Sequence, residues 1–125
     1  MTMNKPTESE LEILSILWEM GKASVREIHD RLSANKSTGY TTTLKIMQIM
    51  YAKGLVIRDE QNRSHIYSTA ISQKETQKSL LNNFMTTAFG GSAKKLVMHA
   101  LGQGDPSKEE LKEIRAFLDK LENEK

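Results

Sequence analysis

The sequence predicts a mainly α-helical protein, and three observations point to that class. Four segments open with Ser or Thr and carry Glu three residues later, which is the capping-box spacing of helix starts: Thr7 and Glu10, Ser24 and Glu27, Ser72 and Glu75, and Ser107 and Glu110. The two prolines, Pro6 and Pro106, both precede helical patterns, so no proline interrupts an element. Between them, only residues 55–68 change from a helical to an alternating period.

The first part of the chain predicts three helices joined by short turns. Apolar residues recur at helical spacing in residues 7–20 and again in residues 24–33. A polar turn, 34–39, separates the second helix from a third that runs from residue 40 to 53. Glycine follows the first and third helices, as is typical of helix C-termini, at Gly21 and Gly54.

A short β-hairpin is predicted directly after the third helix. Its strands cover 55–59 and 64–68, and Glu60, Gln61 and Asn62 form the turn. Three helices followed by a hairpin is the order of a winged helix-turn-helix domain, in which the third helix enters the major groove of DNA. We therefore assign residues 1–70 to a winged-helix DNA-binding domain. The alternative is a three-helix bundle whose hairpin has no binding role.

The charges of this region are strongly asymmetric. From Arg31 to Arg58 the chain runs for 28 residues without Asp or Glu and carries five cations, a local charge of +5. The preceding stretch, from Glu8 to Asp30, has six acidic residues against two basic ones. A helical, acid-free basic segment suits a surface laid against DNA, because a carboxylate there would repel phosphates. The five cations are Arg31, Lys36, Lys45, Lys53 and Arg58.

The predicted DNA contacts lie around the start of the third helix and at the hairpin tip. Helix-turn-helix proteins point this first turn at base edges, and threonine offers a hydroxyl to a phosphate or base and a methyl to thymine. We expect at least one of the three consecutive threonines to face the core instead. Arg63 is placed to reach the flanking groove or backbone, with a solvated turn arginine as the alternative. The candidates are Ser37, Tyr40, Thr41, Thr42, Thr43, Lys45, Lys53 and Arg63.

The remainder of the chain, 71–125, predicts a helical dimerisation region. Helices are expected at 72–88, 92–101 and 107–122, with breaks at Gly90-Gly91 and from Gly102 to Pro106. This apolar surface is hard to bury within one chain of 125 residues, whereas a symmetric dimer would bury it. The alternative is packing back on the first domain. The candidate dimer residues include an a/d seam in the last helix: Leu80, Phe84, Leu96, Leu111, Ile114, Leu118 and Leu121.

Enzyme and metal chemistry find little support in the sequence. The chain has no cysteine, and His29, His65 and His99 fall in separate elements without metal-ligand spacing. No G-x-S-x-G motif is present. No apolar run approaches the roughly 20 residues of a membrane span, and the N-terminus has no signal core. We expect a cytoplasmic protein that is not an enzyme, binds no metal or cofactor and does not insert into membranes.

Short segments spread along the chain match one bacterial family. They are Glu10–Leu14, Leu17-Trp18, Ser24–Ile28, Tyr40–Thr43, Lys53–Val56, Arg63, Ile66-Tyr67 and Phe89–Ser92. Through them the sequence resembles the BlaI/MecI/CopY (penicillinase repressor) family of transcriptional regulators. The resemblance implies a homodimeric repressor that binds a palindromic operator through the winged domain and dimerises through the C-terminal helices. It also implies that Thr42, Lys45 and the neighbouring threonines contact DNA from the recognition helix, and that Arg63 does so from the wing.

Three departures from the family pattern bear on function. Better-known members carry an arginine late in the recognition helix, where this chain has Ile49. Those repressors are inactivated when a membrane sensor-linked protease cuts an Asn-Phe bond, and the aligned pair here is His99-Ala100. A sensor protease is therefore a possible partner only with a different specificity. The copper-responsive branch uses C-terminal cysteines, which this chain lacks.

A different class of function could use the same basic face. A winged-helix module that never touches DNA would dock an acidic protein partner there. Selection from random DNA separates the two hypotheses, because an interaction module would return no palindromic consensus.

Overall fold

The computed structural model describes residues 5–61 and 63–125. Asn62, placed by the sequence in the hairpin turn, lies outside the described residues. The helices are α1 (Glu8–Met20), α2 (Val25–Ser33), α3 (Tyr40–Lys53), α4 (Gln73–Phe89), α5 (Ala93–Gly104) and α6 (Lys108–Asn123). The strands are β1 (Ala23–Ser24), β2 (Val56–Asp59) and β3 (Ile66–Thr69). A mainly α architecture is thus confirmed, with a winged-helix domain followed by further helices.

The chain divides into two compact units, Met1–Lys78 and Ser79–Lys125. The division falls within α4, further along than the boundary that the sequence suggested at residue 70. The first turn of α4 belongs to the first unit, where Thr76 is buried and its hydroxyl donates to the carbonyl oxygen of Ser72 at 2.7 Å.

Three of the four predicted capping boxes are complete. In α1, the Thr7 hydroxyl accepts from the backbone N–H of Glu10 at 3.2 Å, and the Glu10 carboxylate accepts from the Thr7 N–H at 2.9 Å. The same reciprocal pair begins α2 and α6. At α4, the structure gives the Ser72 hydroxyl accepting from the N–H of Glu75. These local bonds satisfy backbone donors that have no partner inside a helix, which is why the starts were readable from sequence.

The hairpin is part of a three-stranded antiparallel sheet with the order β1-β3-β2. β2 and β3 pair with Arg58 opposite Tyr67, and β1 adds Ala23 opposite Tyr67 on the other edge of β3. The sequence did not predict β1, because a strand of two residues is too short to show alternation. This strand ties the start of α2 to the base of the wing.

A single cluster of apolar side chains forms the core of the first unit. Helices α1, α2 and α3 contribute to it together with both wing strands, and its fully buried members include Ile13, Leu14, Leu17, Ile28, Met47, Met50, Val56 and Tyr67. The indole N–H of Trp18 donates to the carbonyl oxygen of Ile71 at 3.1 Å, which holds the segment after the wing against α1. Leu44, Met47 and Tyr51 lie at helical spacing in the sequence, but Tyr51 is on the surface and does not belong to the buried face of α3.

The second unit contains the rest of α4 with α5 and α6. α5 continues through Gly102 to Gly104, with Asp105 as its C-cap residue, so the predicted break from Gly102 to Pro106 begins only at Asp105. The helix break at Gly90 and Gly91 is confirmed, since both have positive φ, which glycine adopts without strain. Neither α5 nor α6 has a buried residue. Among the described residues, no helix is long and apolar enough to cross a membrane.

Candidate nucleic-acid interface

Helix α3 presents one buried face and one exposed face. Thr43, Met47 and Met50 point into the core at the helical spacing of four and three residues. The opposite side exposes a mixed row of short polar, cationic and apolar side chains, which we call the outer face: Thr41, Thr42, Lys45, Gln48, Ile49 and Ala52. Of the predicted contacts, the structure brings Thr41, Thr42 and Lys45 together on this face. It places Ser37 and Tyr40 exposed just before and at the start of α3.

Thr43 is a correction to the predicted DNA contacts. It has 0% exposure, and its hydroxyl lies 3.4 Å from the carbonyl oxygen of Gly39 and 3.0 Å from Nδ1 of His29. A side chain without exposed surface cannot reach a base or phosphate. Thr43 is therefore the inward-facing threonine, and it fixes the first turn of α3 against α2.

A stack of three side chains supports the start of α3. The His29 ring meets the Tyr40 ring edge-on, with centroids 5.6 Å apart. The guanidinium carbon of Arg26 lies 4.5 Å from the centroid of the same tyrosine, a cation–π distance. Sequence reasoning missed Arg26 and His29, because both lie within the acidic stretch before the basic segment. Their spacing of three on α2 was the available signal that they share a face.

The charge argument from the sequence needs correction, because most cations of the acid-free segment are paired. The Arg31 guanidinium lies 2.8 Å from a carboxylate oxygen of Glu19, and the Lys36 ammonium lies 3.0 Å from one of Glu12. Glu19 and Glu12 are both residues of α1. The remaining pairs are Lys53 with Glu10 at 2.7 Å and Arg58 with Glu60 at 2.6 Å. The acidic stretch thus neutralises much of the basic one. Of the five cations, Lys45 is the one that forms no ion pair with a described residue.

Lys53 is held within the domain by a buried carboxylate. Glu10 is 3% exposed, and burial by itself raises its pKa. Hydrogen bonds from Lys53 and Thr7 outweigh that effect, so the pKa of Glu10 lies below its ordinary value. The Lys53 ammonium group therefore serves the fold at the end of α3, and the structure does not place it as an unpaired cation for a phosphate.

A cleft of about 480 Å³ separates the beginnings of α2 and α3 from the wing. Three arginines line the cleft: Arg26, Arg58 and Arg63. Its other lining residues include Ser24, Tyr40, Leu44, Gln48, His65 and Tyr67. Arg58 lies 3.9 Å over the ring of Tyr51, and its hydrogen bond to Glu60 raises the pKa of this guanidinium. Arg63 is exposed at the wing, which fits both a DNA contact and a solvated turn arginine. The cleft thus continues the outer face of α3 toward the wing and adds the exposed arginines Arg26 and Arg63 to it.

The predicted dimer residues form no buried core in the second unit. Phe84, Leu111, Leu118 and Leu121 are exposed, whereas Leu80, Leu96 and Ile114 are half-buried. His99 and Ala100 are exposed on α5, with the His99 ring 5.9 Å from that of Phe89. Within the described residues, no three His, Cys, Asp or Glu side chains come together as a metal site.

Three helices, a small antiparallel wing and an exposed third helix define the class of winged helix-turn-helix proteins. Residues 6–120 match the sequence profile of the penicillinase repressor family. The chain belongs to that family, which is one of transcriptional repressors rather than of enzymes.

Characterised relatives match over most of the chain. The methicillin resistance regulatory protein MecI of Staphylococcus aureus (strain N315) is 24% identical over 114 residues, covering 91% of this chain and 93% of MecI. The penicillinase repressor of Bacillus licheniformis is 20% identical over 119 residues, covering 95% and 93%. The transcriptional regulator BlaI of Mycobacterium tuberculosis (strain ATCC 25618 / H37Rv) is 27% identical over 92 residues, covering 72% and 67%.

Proposed function

We propose that this protein is a homodimeric repressor that binds a palindromic operator in double-stranded DNA through α3 and the wing. The observation that carries the proposal is the outer face of α3, where Thr41, Thr42 and Lys45 are exposed together, opposite the buried face formed by Thr43, Met47 and Met50. Hydroxyl and ammonium groups on a rigid helix suit the donors and acceptors of the major groove. Arg26 and Arg63 flank this face and supply charge for the phosphate backbone.

The second unit supports a dimer. Its apolar side chains on α4, α5 and α6 are exposed or half-buried, and an exposed apolar surface of this kind is typical of an interaction site. A closed two-fold dimer uses the same patch on both subunits. Two recognition helices related by two-fold symmetry then require a two-fold symmetric operator. A repressor of this kind acts where the chromosome is, which places it in the bacterial cytoplasm.

Selection of binding sites from random DNA tests the proposal. We expect an inverted-repeat consensus, and binding to it that weakens steeply with salt, because each phosphate neutralised by Lys or Arg releases counterions. Selected DNA without symmetry would contradict the dimeric mode of binding. Failure to select any sequence would favour the protein-interaction module, with an acidic protein as its partner.

Two lysines of the same segment provide a matched test of the interface. Lys45→Ala removes a cation that forms no ion pair within the described part of the chain, and it should weaken operator binding by roughly 1–3 kcal/mol. Lys36→Ala removes the same charge from a lysine already paired with Glu12, so its effect on binding should be smaller. Gel-shift titrations at fixed salt measure both, with circular dichroism to verify folding. Equal losses in the two variants would assign binding to overall charge rather than to the outer face.

Induction by proteolysis is a separate proposal at His99-Ala100. Both residues lie within α5, so a protease needs this helix to open locally before the bond enters an active site. Cleavage there would detach α6 and part of the dimer surface from the DNA-binding unit. The test is to incubate the protein with a sensor protease encoded beside it and to map the cleavage site by mass spectrometry. A cut at another bond would contradict the proposed site at His99-Ala100.

A further inference from the structure

Ile49 is an unusual member of the outer face of α3. Its side chain is 45% exposed. It lies one turn beyond Lys45 and seven residues, or nearly two turns, beyond Thr42, so all three point to the same side of the helix. Single exposed apolar residues are common on protein surfaces. This one, however, lies among the side chains that the proposed function directs at DNA.

Isoleucine has few partners in the major groove. It has no hydrogen-bond donor or acceptor, so it gains nothing from the polar edges of guanine, adenine or cytosine. The apolar group that the groove offers is the C5 methyl of thymine. A base pair that places a polar edge against Ile49 would instead lose hydration without compensation.

We propose that Ile49 is a specificity-determining residue that packs against a thymine methyl group in each operator half-site. The inference rests on the proposed function, since it concerns the same face of α3. The neighbouring side chains suit this role. Ala52, the next exposed residue of the face, is short and leaves Gln48 and Ile49 as the projecting groups beyond Lys45, of which Ile49 is the apolar one. The threonines of the first turn would read the other end of the half-site.

Removing the thymine methyl group from the DNA tests the proposed contact with Ile49. Deoxyuridine has hydrogen in place of the thymine methyl and keeps every hydrogen-bonding group. Each thymine of the selected operator is replaced by deoxyuridine, symmetrically in both half-sites, and Kd is measured for wild type and Ile49→Ala. Loss of one buried methyl corresponds to about a four-fold change in affinity, or about fifteen-fold for two half-sites. We expect that loss for wild type at one symmetric position, and no loss there for Ile49→Ala.

Two further variants make the result specific. Ile57→Ala removes an equivalent isoleucine, 56% exposed, from β2, and should keep the wild-type response to deoxyuridine. Thr42→Ser removes only a methyl and should also keep the response at the Ile49 position. If Ile49→Ala responds to deoxyuridine like wild type at every position, the inference is wrong. If Thr42→Ser alone abolishes the response, the methyl is read by Thr42. Failure to select a symmetric operator at all would overturn the proposed function instead.

Discussion

The two units of this chain bury their apolar side chains to opposite extents. The first unit encloses a cluster drawn from α1, α2, α3 and the wing, with members such as Leu14 and Leu17 fully buried. The second unit has helices of comparable length, yet α5 and α6 contain no buried residue. Both units carry apolar residues at helical spacing, so the sequence pattern alone does not distinguish a closed core from an open face.

The difference assigns separate roles to the two units. A domain with a closed core is stabilised by its own contacts, whereas an open apolar face gains most of its stability by association. The same division applies to charge within the first unit. Four cations of the acid-free segment form ion pairs within the first unit, whereas Lys45 forms none with a described residue and is available to a partner. Side chains that find partners within the chain stabilise the fold. We expect binding partners at Lys45 and at the open apolar face of the second unit.

Truncating a core leucine should have the largest effect on stability. Leu14→Ala leaves a cavity in the closed core and should lower the free energy of unfolding by roughly 2–5 kcal/mol. Trp18, the single tryptophan, lies on α1 and reports the unfolding of the first unit in urea. Leu118→Ala removes the same atoms from a side chain that is 50% exposed and should leave the Trp18 transition unchanged. Equal shifts would mean that the two units unfold as one.

Placing a charge on the open face should have the next largest effect. Leu118→Asp puts a carboxylate into the proposed dimer seam and should weaken association by roughly 2 kcal/mol or more, since a buried unpaired charge is strongly unfavourable. Sedimentation velocity over a range of concentrations measures the loss. Ala116→Asp adds the same charge on the other side of α6, at an exposed position, and should remain dimeric. A monomeric wild type would refute the seam directly.

The helices were predictable because their signals are local. A capping box and an apolar period lie within one element, so Thr7 with Glu10 or Ser107 with Glu110 predicted real helix starts. The buried threonine could not be identified from spacing alone. Thr43 precedes Met47 and Met50 by four and seven residues, which is the spacing of one helical face, but Thr42 precedes Ile46 and Ile49 by the same intervals.

The ion pairs with α1 were not predictable, because their partners lie far apart in the sequence. Arg31 and Glu19 are 12 residues apart, Lys36 and Glu12 are 24 apart, and Lys53 and Glu10 are 43 apart. Only the packing of α1 against the rest of the domain brings them together. The acidic and basic stretches therefore looked like separate surfaces in the sequence, although they are partly complementary in the fold. Arg26 was hidden for the same reason, since its partner Tyr40 lies on another helix.

The smallest effect that we predict concerns the pH dependence of the closed unit. The folded pKa of Glu10 lies below its value in the unfolded chain, about 4.3. The carboxylate therefore stabilises the fold above that pH, and the contribution is lost as pH falls through the folded pKa. Glu10→Gln cannot lose this contribution, so its free energy of unfolding should fall less steeply than that of wild type below about pH 5.

Urea denaturation at a series of pH values, followed by Trp18 fluorescence, measures the two slopes. Glu8→Gln is the matched control, because it removes an exposed carboxylate from the same first turn of α1 and leaves the pair of Glu10 with Lys53 in place. If Glu10→Gln and Glu8→Gln behave alike, Glu10 does not hold its pair with Lys53 in solution. The predicted contact of Lys53 with DNA would then return as a hypothesis. The pH dependence of the free energy of unfolding in acid thus tests whether Lys53, at the end of α3, stabilises the domain through Glu10 or is a candidate for contacting DNA.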